Sequence, residues 1–221
     1  MSARPEVVVV DYGRGNLFSV GQAVSKVGGT PRLSADPEVV ASASRLILPG
    51  VGAFGDAMAG LNALGLAEAV KAFAATGRPL LGICLGMELL LDESSEFGRH
   101  AGLGLIPGRV DRLPSPQTGS REKIPNVGWC PLEEPRQGAT WSGTILADVK
   151  VGDFVYFVHS YAAYPDDPGH RLADITFAGI GVTAAVVREN VTGCQFHPEK
   201  SGQVGLAMLS AFVRDAVRAD L

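Results

Sequence analysis

The string Gly82-Ile83-Cys84-Leu85-Gly86 has the residue types needed to present a nucleophilic thiol. It follows an apolar strand candidate, residues 79–81, and opens a helical stretch, Met87 to Leu91. A nucleophile on a sharp strand-to-helix turn needs small neighbours because the backbone is crowded there. The N–H groups at the start of the helix also favour thiolate over thiol. We therefore predict that Cys84 is a nucleophile, although this string alone also suits an inert, buried cysteine.

A base for this thiol is offered far downstream, by the segment from Gln195 to Lys200. His197 ends an apolar strand candidate, and Pro198 stiffens the turn after it. Glu199 could accept a hydrogen bond from the ring nitrogen that faces away from the sulfur, which would fix the tautomer and stabilise the imidazolium. The pattern predicts a catalytic set of Cys84, His197 and Glu199. A turn with a capping histidine and a solvated carboxylate is the alternative.

The other histidines fit this role less well. His159 follows the apolar run Phe154 to Val158, so it is a rival base. His100 and His170 lie in segments rich in turn residues, and we expect both at the surface.

Glycines at the end of a second strand candidate could assist the same reaction. Gly50-Val51-Gly52 can turn a backbone N–H toward a developing oxyanion, although a plain strand-to-helix loop has the same composition. Gly13-Arg14-Gly15 lacks the third glycine of a dinucleotide fingerprint. Histidines and cysteines are too scattered for metal-ligand spacing. We expect neither a cofactor nor a metal.

Composition limits the remaining possibilities. The length of 221 residues suits one domain spanning residues 1–221. The formal charge of −4 argues against nucleic acid or an anionic membrane as the main partner. No apolar run reaches membrane-spanning length, and the N-terminus does not resemble a signal peptide. Three cysteines make no disulfide framework, which suits a reducing cytoplasm.

The order of predicted elements indicates an α/β fold. In the first half, strands and helices alternate, as in a parallel sheet covered by helices: strands at Glu6–Asp11, Arg45–Pro49 and Pro79–Ile83, and helices at Asn16–Val27 and at Phe54–Ala75, the latter interrupted near Gly65. The second half adds strands at Phe154–Val158, Thr183–Arg188 and Gly193–Phe196, some of them antiparallel, a loop at Leu113–Lys123 and a terminal helix at Gln203–Arg218. We predict three layers, with helices flanking a mainly parallel central sheet that carries an antiparallel extension. The site should lie at the carboxyl ends of the parallel strands.

Taken together, these motifs resemble those of class I glutamine amidotransferases, which carry the Gly-x-Cys-x-Gly elbow and a later His-x-Glu. The resemblance extends to the glutaminase subunits of imidazole glycerol phosphate synthases, enzymes of histidine biosynthesis. It rests on six strings that occur in this order: Asp11–Leu17, Pro49–Gly52, Gly102–Gly108, Pro125–Trp129, Phe157–Tyr161 and Gln195–Ser201.

The resemblance implies a reaction and a set of site residues. Cys84 would attack the side-chain amide of L-glutamine, and His197, oriented by Glu199, would shuttle protons. Backbone N–H groups near Val51 and Leu85 would hold the oxyanion. By the same resemblance, glutamine would be bound by Gly50, Gly52, Glu88, Glu96, Ser160 and Tyr161.

It also implies a partner. Ammonia would pass to a cyclase subunit, a (β/α)₈ barrel that this chain does not encode and with which it would form a heterodimer. The contact face would include Asn16, Pro125, Asn126, Trp129 and Lys200. For Trp129, a position in the hydrophobic core is the alternative. Two other functions stay open: a glutaminase serving another synthase, such as one for a folate or tryptophan precursor, and a scaffold without catalysis.

One residue departs from the family pattern. Glu88 stands four residues after the cysteine, where the family usually has glutamine, and that spacing places it on the same helical face as Cys84. A carboxylate there would repel the α-carboxylate of the substrate and oppose thiolate formation, unless it pairs with the α-ammonium or stays protonated. We expect weaker glutamine binding than in a glutamine-bearing relative, and a lower KM in Glu88→Gln. Asn126-Val127, where the family often has His-Met, is a lesser departure.

Overall fold

The computed structural model describes residues 4–116 and 122–214. Its strands are β1 (Glu6–Val10), β2 (Thr30–Ser34), β3 (Leu46–Gly50), β4 (Leu80–Cys84), β5 (Glu93–Ser94), β6 (His100–Ala101), β7 (Gly108–Arg112), β8 (Asn126–Pro131), β9 (Phe154–His159), β10 (Tyr161–Pro165), β11 (Arg171–Phe177), β12 (Ile180–Arg188) and β13 (Val191–Cys194). Its α-helices are α1 (Leu17–Lys26), α2 (Pro37–Ser42), α3 (Phe54–Ala63), α4 (Leu66–Ala74), α5 (Leu85–Glu88) and α6 (Gly202–Arg214). Short 3₁₀ turns form at Pro168–His170 and Pro198–Lys200.

A seven-stranded sheet organises the fold, in the order β11-β12-β13-β4-β3-β1-β2. The strands from β13 to β2 run parallel, whereas β12 pairs antiparallel with both β13 and β11. The predicted parallel sheet with an antiparallel extension is confirmed. Two smaller units complete the second half: a four-stranded sheet, β10-β7-β5-β6, and the ribbon formed by β8 and β9.

Both faces of the central sheet are covered, because its inner strands are apolar at nearly every position. In β1, Val7 and Val9 pack into one hydrophobic cluster with side chains of α1 and α6. Val8 and Val10 enter the other cluster, with side chains of α3 and α4. A continuous apolar strand is typical of burial on both faces, and this pattern produces the helix–sheet–helix layering.

Several element boundaries differ from the sequence predictions. The long helical stretch breaks at Gly65, whose φ of 69° is left-handed, so the predicted interruption is confirmed. The predicted helix Met87–Leu91 corresponds to α5, which is shorter and covers Leu85–Glu88. β13 ends at Cys194, so two residues separate the end of the strand from His197. Within the predicted loop Leu113–Lys123, residues 117–121 lie outside the described part, as do residues 215–218 of the predicted terminal helix.

Within the described residues, no helix combines the length and apolar character that a membrane crossing would require.

Asn190 ties the turn between β12 and β13 to the segment that enters β4. Its buried side-chain amide donates hydrogen bonds to the carbonyls of Ala74, at 2.9 Å, and Arg78, at 2.7 Å. Leu80 at the start of β4 in turn donates its N–H to the Asn190 carbonyl at 3.0 Å. One side chain thus joins the antiparallel extension to the strand that carries Cys84.

We expect Asn190→Ala to lower the free energy of unfolding by about 1–3 kcal/mol, because it leaves two carbonyls without their donor. Urea unfolding followed by circular dichroism measures the change. Asn62→Ala, on the exposed face of α3, is the matched control and should change stability by less than about 0.5 kcal/mol. Equal effects of the two substitutions would contradict this role of Asn190.

Candidate active site

Cys84 occupies the sharp junction between β4 and α5. Its backbone has φ 55° and ψ −116°, a conformation that a residue with a side chain rarely adopts. Such strain is typical of a nucleophile elbow, which holds the reactive atom out at the end of a strand. The predicted elbow geometry is therefore present in the structure.

The glycines around Cys84 are required by close backbone contacts. A Cβ on Gly82 would lie 2.7 Å from the carbonyl oxygen of Gly86. A Cβ on Gly86 would overlap the carbonyl oxygen of Leu48, in the neighbouring strand β3. This crowding is the physical reason for small residues on both sides of the cysteine.

A cavity of about 400 Å³ opens above this elbow. It lies at the carboxyl ends of β3 and β4, where Gly50 pairs in register with Cys84. Most of the residues predicted for chemistry or substrate binding line it: Val51, Gly52, Cys84, Leu85, Glu88, Glu96, Ser160, Tyr161 and His197. Three further residues complete the lining: Pro125, Val158 and His159.

His197 and Glu199 form a buried pair at the edge of this cavity. The His197 Nδ1 lies 2.9 Å from Glu199 Oε1, and the two side chains are only 3% and 1% exposed. A carboxylate can only accept, so Nδ1 carries the proton and Nε2 is left free to take another. Nε2 is buried and has no hydrogen-bond partner among the described residues. The alternative of a solvated carboxylate is wrong.

Ser201, which the sequence did not indicate, fixes the turn that carries His197. Its hydroxyl donates to the His197 carbonyl at 2.7 Å and accepts from the N–H of Tyr156 at 3.0 Å. The His197 N–H donates to the Tyr156 carbonyl at 2.9 Å. These bonds attach the histidine turn to β9.

Burial keeps the Cys84 thiol protonated in the free chain. It raises the pKa of the thiol to about 12, and the charge of Glu88 adds to this effect. A hydrogen bond from the Leu85 N–H and another from the Gln195 side chain oppose the rise without overcoming it. Burial thus outweighs the predicted preference for thiolate at the helix start. The helix that could provide this preference, α5, has only four residues. The effect of Glu88 has the direction expected from the sequence.

Gln195 is a second site residue that the sequence analysis did not single out. Its side chain is fully buried, and its Nε2 donates to Glu88 Oε1 at 2.9 Å. It lies two residues before His197, and this closeness to the histidine was the only signal that could have indicated it.

The glycine loop Gly50–Gly52 sits beside the sulfur, and its first residue is firmly held. Tyr12 donates its hydroxyl to the Pro49 carbonyl at 3.0 Å, and a Cβ on Gly50 would lie 2.5 Å from that hydroxyl oxygen. Gly52 has a φ of 103°, which favours glycine, and Val51 between them is 42% exposed. The loop is therefore anchored at its first residue and open to the cavity at the next two.

His159 lines the cavity but is poorly suited to act as a base. Its Nδ1 lies 2.7 Å from the Tyr161 carbonyl, and its Nε2 lies 3.1 Å from the Asn126 Nδ2. Burial lowers the pKa of its ring to about 4. His100 and His170 are both half-buried and neither lines this cavity.

Residues predicted to meet a partner fall into two groups. Trp129 is 53% exposed on the β8–β9 ribbon, which excludes a core position, and Lys200 and Pro125 are exposed as well. Asn126 is instead buried, with its amide against the Cys130 sulfur and His159, so its side chain stabilises the ribbon from inside. Asn16 is half-buried beside the glycine loop.

No group of three or more histidine, cysteine, aspartate or glutamate side chains within residues 4–116 and 122–214 is arranged to hold a metal ion. All three cysteines are free.

Two solved structures have the same fold. The structure of PurLQS from Thermotoga maritima superposes with a TM-score of 0.68 at 19% identity, covering 95% of this chain and 98% of that one. A crystal structure described as a glutamine amidotransferase gives 0.67 at 18% identity, covering 93% and 97%. At these identities the likeness establishes the fold alone.

Sequence relatives are closer. Imidazole glycerol phosphate synthase subunit HisH 1 of Legionella pneumophila strain Lens is 48% identical over 209 residues, covering 94% of this chain and 98% of the relative. Subunit HisH of Syntrophotalea carbinolica is 47% identical over 208 residues, with 93% and 98% covered. Residues 8–216 match the family model described as glutamine amidotransferase class-I. The chain therefore belongs to the class I glutamine amidotransferases and, within them, to the HisH subunits of imidazole glycerol phosphate synthase.

Proposed function

We propose that this chain hydrolyses glutamine to glutamate and ammonia through a thioester on Cys84, and that it delivers the ammonia to a synthase partner in histidine biosynthesis. One observation carries the proposal: a thiol on a strained elbow and an imidazole with a free Nε2 line the same cavity. Membership of the HisH family supplies the substrate and the pathway.

The first half-reaction forms the thioester. His197 Nε2 takes the thiol proton as the sulfur of Cys84 attacks the side-chain carbonyl carbon of glutamine. The N–H groups of Val51 and Leu85 hold the oxygen that becomes negative in the tetrahedral intermediate. As that intermediate collapses, the C–N bond breaks, His197 returns the proton to the leaving nitrogen, and ammonia departs.

The second half-reaction releases glutamate. Water attacks the thioester carbonyl while His197 Nε2 takes one of its protons. The C–S bond breaks, and the proton returns to the sulfur. Because burial holds the pKa of the Cys84 thiol at about 12, the thiol does not ionise by itself, and proton transfer to His197 must accompany the attack. Glu199, buried against Nδ1, stabilises the imidazolium that forms.

Glutamine fits the polar wall of the cavity. Glu96 is positioned there by the N–H of Phe54, which donates to its Oε2 at 2.6 Å, and its carboxylate suits the α-ammonium group of the substrate. Ser160 and Tyr161, which carry hydroxyl groups, line the same cavity, as does Gly52, which has no side chain to fill it. Glu88 closes the floor of the cavity.

The partner surface follows from exposed apolar side chains near the cavity. Phe18 of α1 is 76% exposed, and Val127 and Trp129 of β8 are 58% and 53% exposed. Exposed apolar groups of this size are typical of protein interfaces. We infer that a (β/α)₈-barrel cyclase subunit covers them in a heterodimer, with Asn16, Pro125 and Lys200 at the same contact, and receives the ammonia. We place the complex in the cytoplasm, where the free thiols stay reduced.

The two alternatives are less well supported. A glutaminase for another synthase is disfavoured by the identity of nearly half the residues with HisH subunits. A scaffold without catalysis is disfavoured because such a chain would have no reason to keep a strained cysteine and a buried His–Glu pair.

Cys84→Ala should abolish glutaminase activity, with a loss of at least about 10³-fold, because no other thiol faces the cavity. Glutamate formation with the barrel partner present measures it. A γ-glutamyl electrophile should label Cys84 and leave Cys130 and Cys194 unmodified, as read by peptide mass spectrometry. Cys130→Ala, the matched control, should keep both activity and labelling; labelling elsewhere would rule out Cys84 as nucleophile.

The two cavity histidines should respond differently to substitution. His197→Ala removes the free Nε2 and should lower kcat by at least about 10³-fold. His159→Ala removes a ring whose nitrogens both face hydrogen-bonding groups, and should lower kcat by less than about tenfold. Steady-state kinetics at saturating glutamine distinguishes them, and a larger loss in His159→Ala would reverse the assignment.

Partner binding should raise the glutaminase rate. Hydrolysis without an acceptor wastes glutamine, so we expect the free chain to hold the Gly50–Val51 peptide in an unproductive state that the loaded partner reorganises. Glutamate release is measured for the chain alone, with the barrel, and with the barrel plus its acceptor ligand. Equal rates in all three conditions would exclude this regulation.

A further inference from the structure

Glu88 lies in a cavity with little to stabilise its negative charge. Its side chain is 6% exposed, one helical turn after Cys84. The other titratable groups that line the cavity are Cys84, Glu96, His159, Tyr161 and His197. Among the described residues no lysine or arginine lines this cavity and no cation pairs with Glu88.

Gln195 forms the hydrogen bond that the structure shows for this carboxyl. Its Nε2 donates to Glu88 Oε1 at 2.9 Å, and its Oε1 is buried and has no hydrogen-bond partner among the described residues. An N–H donor by itself favours the ionised form, so this contact opposes the effect of burial on the pKa of Glu88. A neutral carboxyl can still accept from Nε2 through its carbonyl oxygen, so the contact is kept when Glu88 is protonated.

Glu96 adds a further reason for Glu88 to hold a proton. The Glu96 carboxylate receives the N–H of Phe54 at the start of α3, where a negative charge is favoured. Two nearby carboxylates in one buried site repel each other, and the one without a charged or helix-end partner is protonated first. In accord with this, burial raises the pKa of Glu88 to about 8, with Glu96 adding to the rise and Gln195 opposing it.

We propose that Glu88 works as a neutral carboxylic acid joined to the amide of Gln195, and that loss of its proton in mildly alkaline solution suppresses attack by Cys84. The suppression has a direct route, because the ionised carboxyl opposes formation of the thiolate. Gln195 donates to Glu88 through its Nε2, and its side chain also opposes the rise in the pKa of Cys84. Glu88 is thus a positioning residue whose charge state governs the nucleophile.

This inference concerns the one residue that departs from the family pattern. Of the ways in which Glu88 could avoid repelling glutamine, burial without a cation favours protonation. The advantage of Glu88→Gln over the wild type should then grow as pH rises.

The first test is a pH profile, and this arm rests on the proposed glutaminase function. kcat/KM for glutamine is measured from pH 6 to 9.5 for the wild type and Glu88→Gln, each with its barrel partner. With an ionisation near pH 8, the ratio of Glu88→Gln to wild type should rise about tenfold between pH 7 and pH 9, whatever its value at pH 6. Titration of His197 and of the substrate ammonium affects both proteins alike and cancels. A ratio that does not change with pH overturns the proposal.

The second test needs no activity. The pKa of Glu88 is raised from 4.5 to about 8 on folding, so between these values the folded chain holds a proton that the unfolded chain has lost. Its stabilising effect is complete below pH 4.5 and declines as pH rises to about 8. The unfolding constant of the wild type, divided by that of Glu88→Gln, should therefore grow by up to about tenfold per pH unit from pH 5 to 8.

Urea unfolding at four pH values in this range measures that ratio. Glu134→Gln, at an exposed position outside the cavity, is the matched control, and its ratio should stay constant. A constant ratio for Glu88→Gln as well would overturn the inference. If the ratio grows while neither protein hydrolyses glutamine, the proposed function fails and the neutral state of Glu88 is supported on its own.

Discussion

The parallel pairing of β3 with β4 brings together the parts on which the site depends. Gly50 stands beside Cys84 in register, so the glycine loop begins where the elbow turns. The contact is so close that Gly86 admits no Cβ against the Leu48 carbonyl. A sulfur held out at a strained turn and a loop that can offer N–H groups thus arise from one strand pair. Any residue that widened this contact would move the sulfur of Cys84 away from the glycine loop.

The histidine reaches the same place through the second half of the chain. β13 pairs parallel to β4, and the segment after it is held to β9 by bonds of Ser201 and Tyr156. The antiparallel extension therefore has a functional role, because β12 supports β13 and so the approach of His197. Two segments far apart in sequence meet because both follow adjacent parallel strands, and the carboxyl ends of such strands share one edge of the sheet.

How far the sequence predicts this structure depends on burial. The inner strands β1, β3 and β4 were predicted because burial on both faces leaves continuous apolar runs. β2 was not, since Thr30–Ser34 lies at the sheet edge and is largely exposed. The elbow, His197 and Glu199 were predicted from chemistry and spacing. Asn126 and Gln195 were not correctly placed, because nothing in a polar residue type shows whether it faces solvent or a buried partner.

Burial acts in the same direction on two acidic groups of the cavity. It raises the pKa of Cys84 and of Glu88, so neither carries charge easily. Negative charge is placed instead where donors await it: Glu96 at the start of α3 and Glu199 against Nδ1 of His197. A thiolate formed beside an ionised Glu88 would place two negative charges next to each other. Beside a neutral Glu88, the thiolate faces only the imidazolium of His197, which Glu199 supports. The proposed neutral state of Glu88 therefore suits a reaction in which a buried sulfur becomes charged.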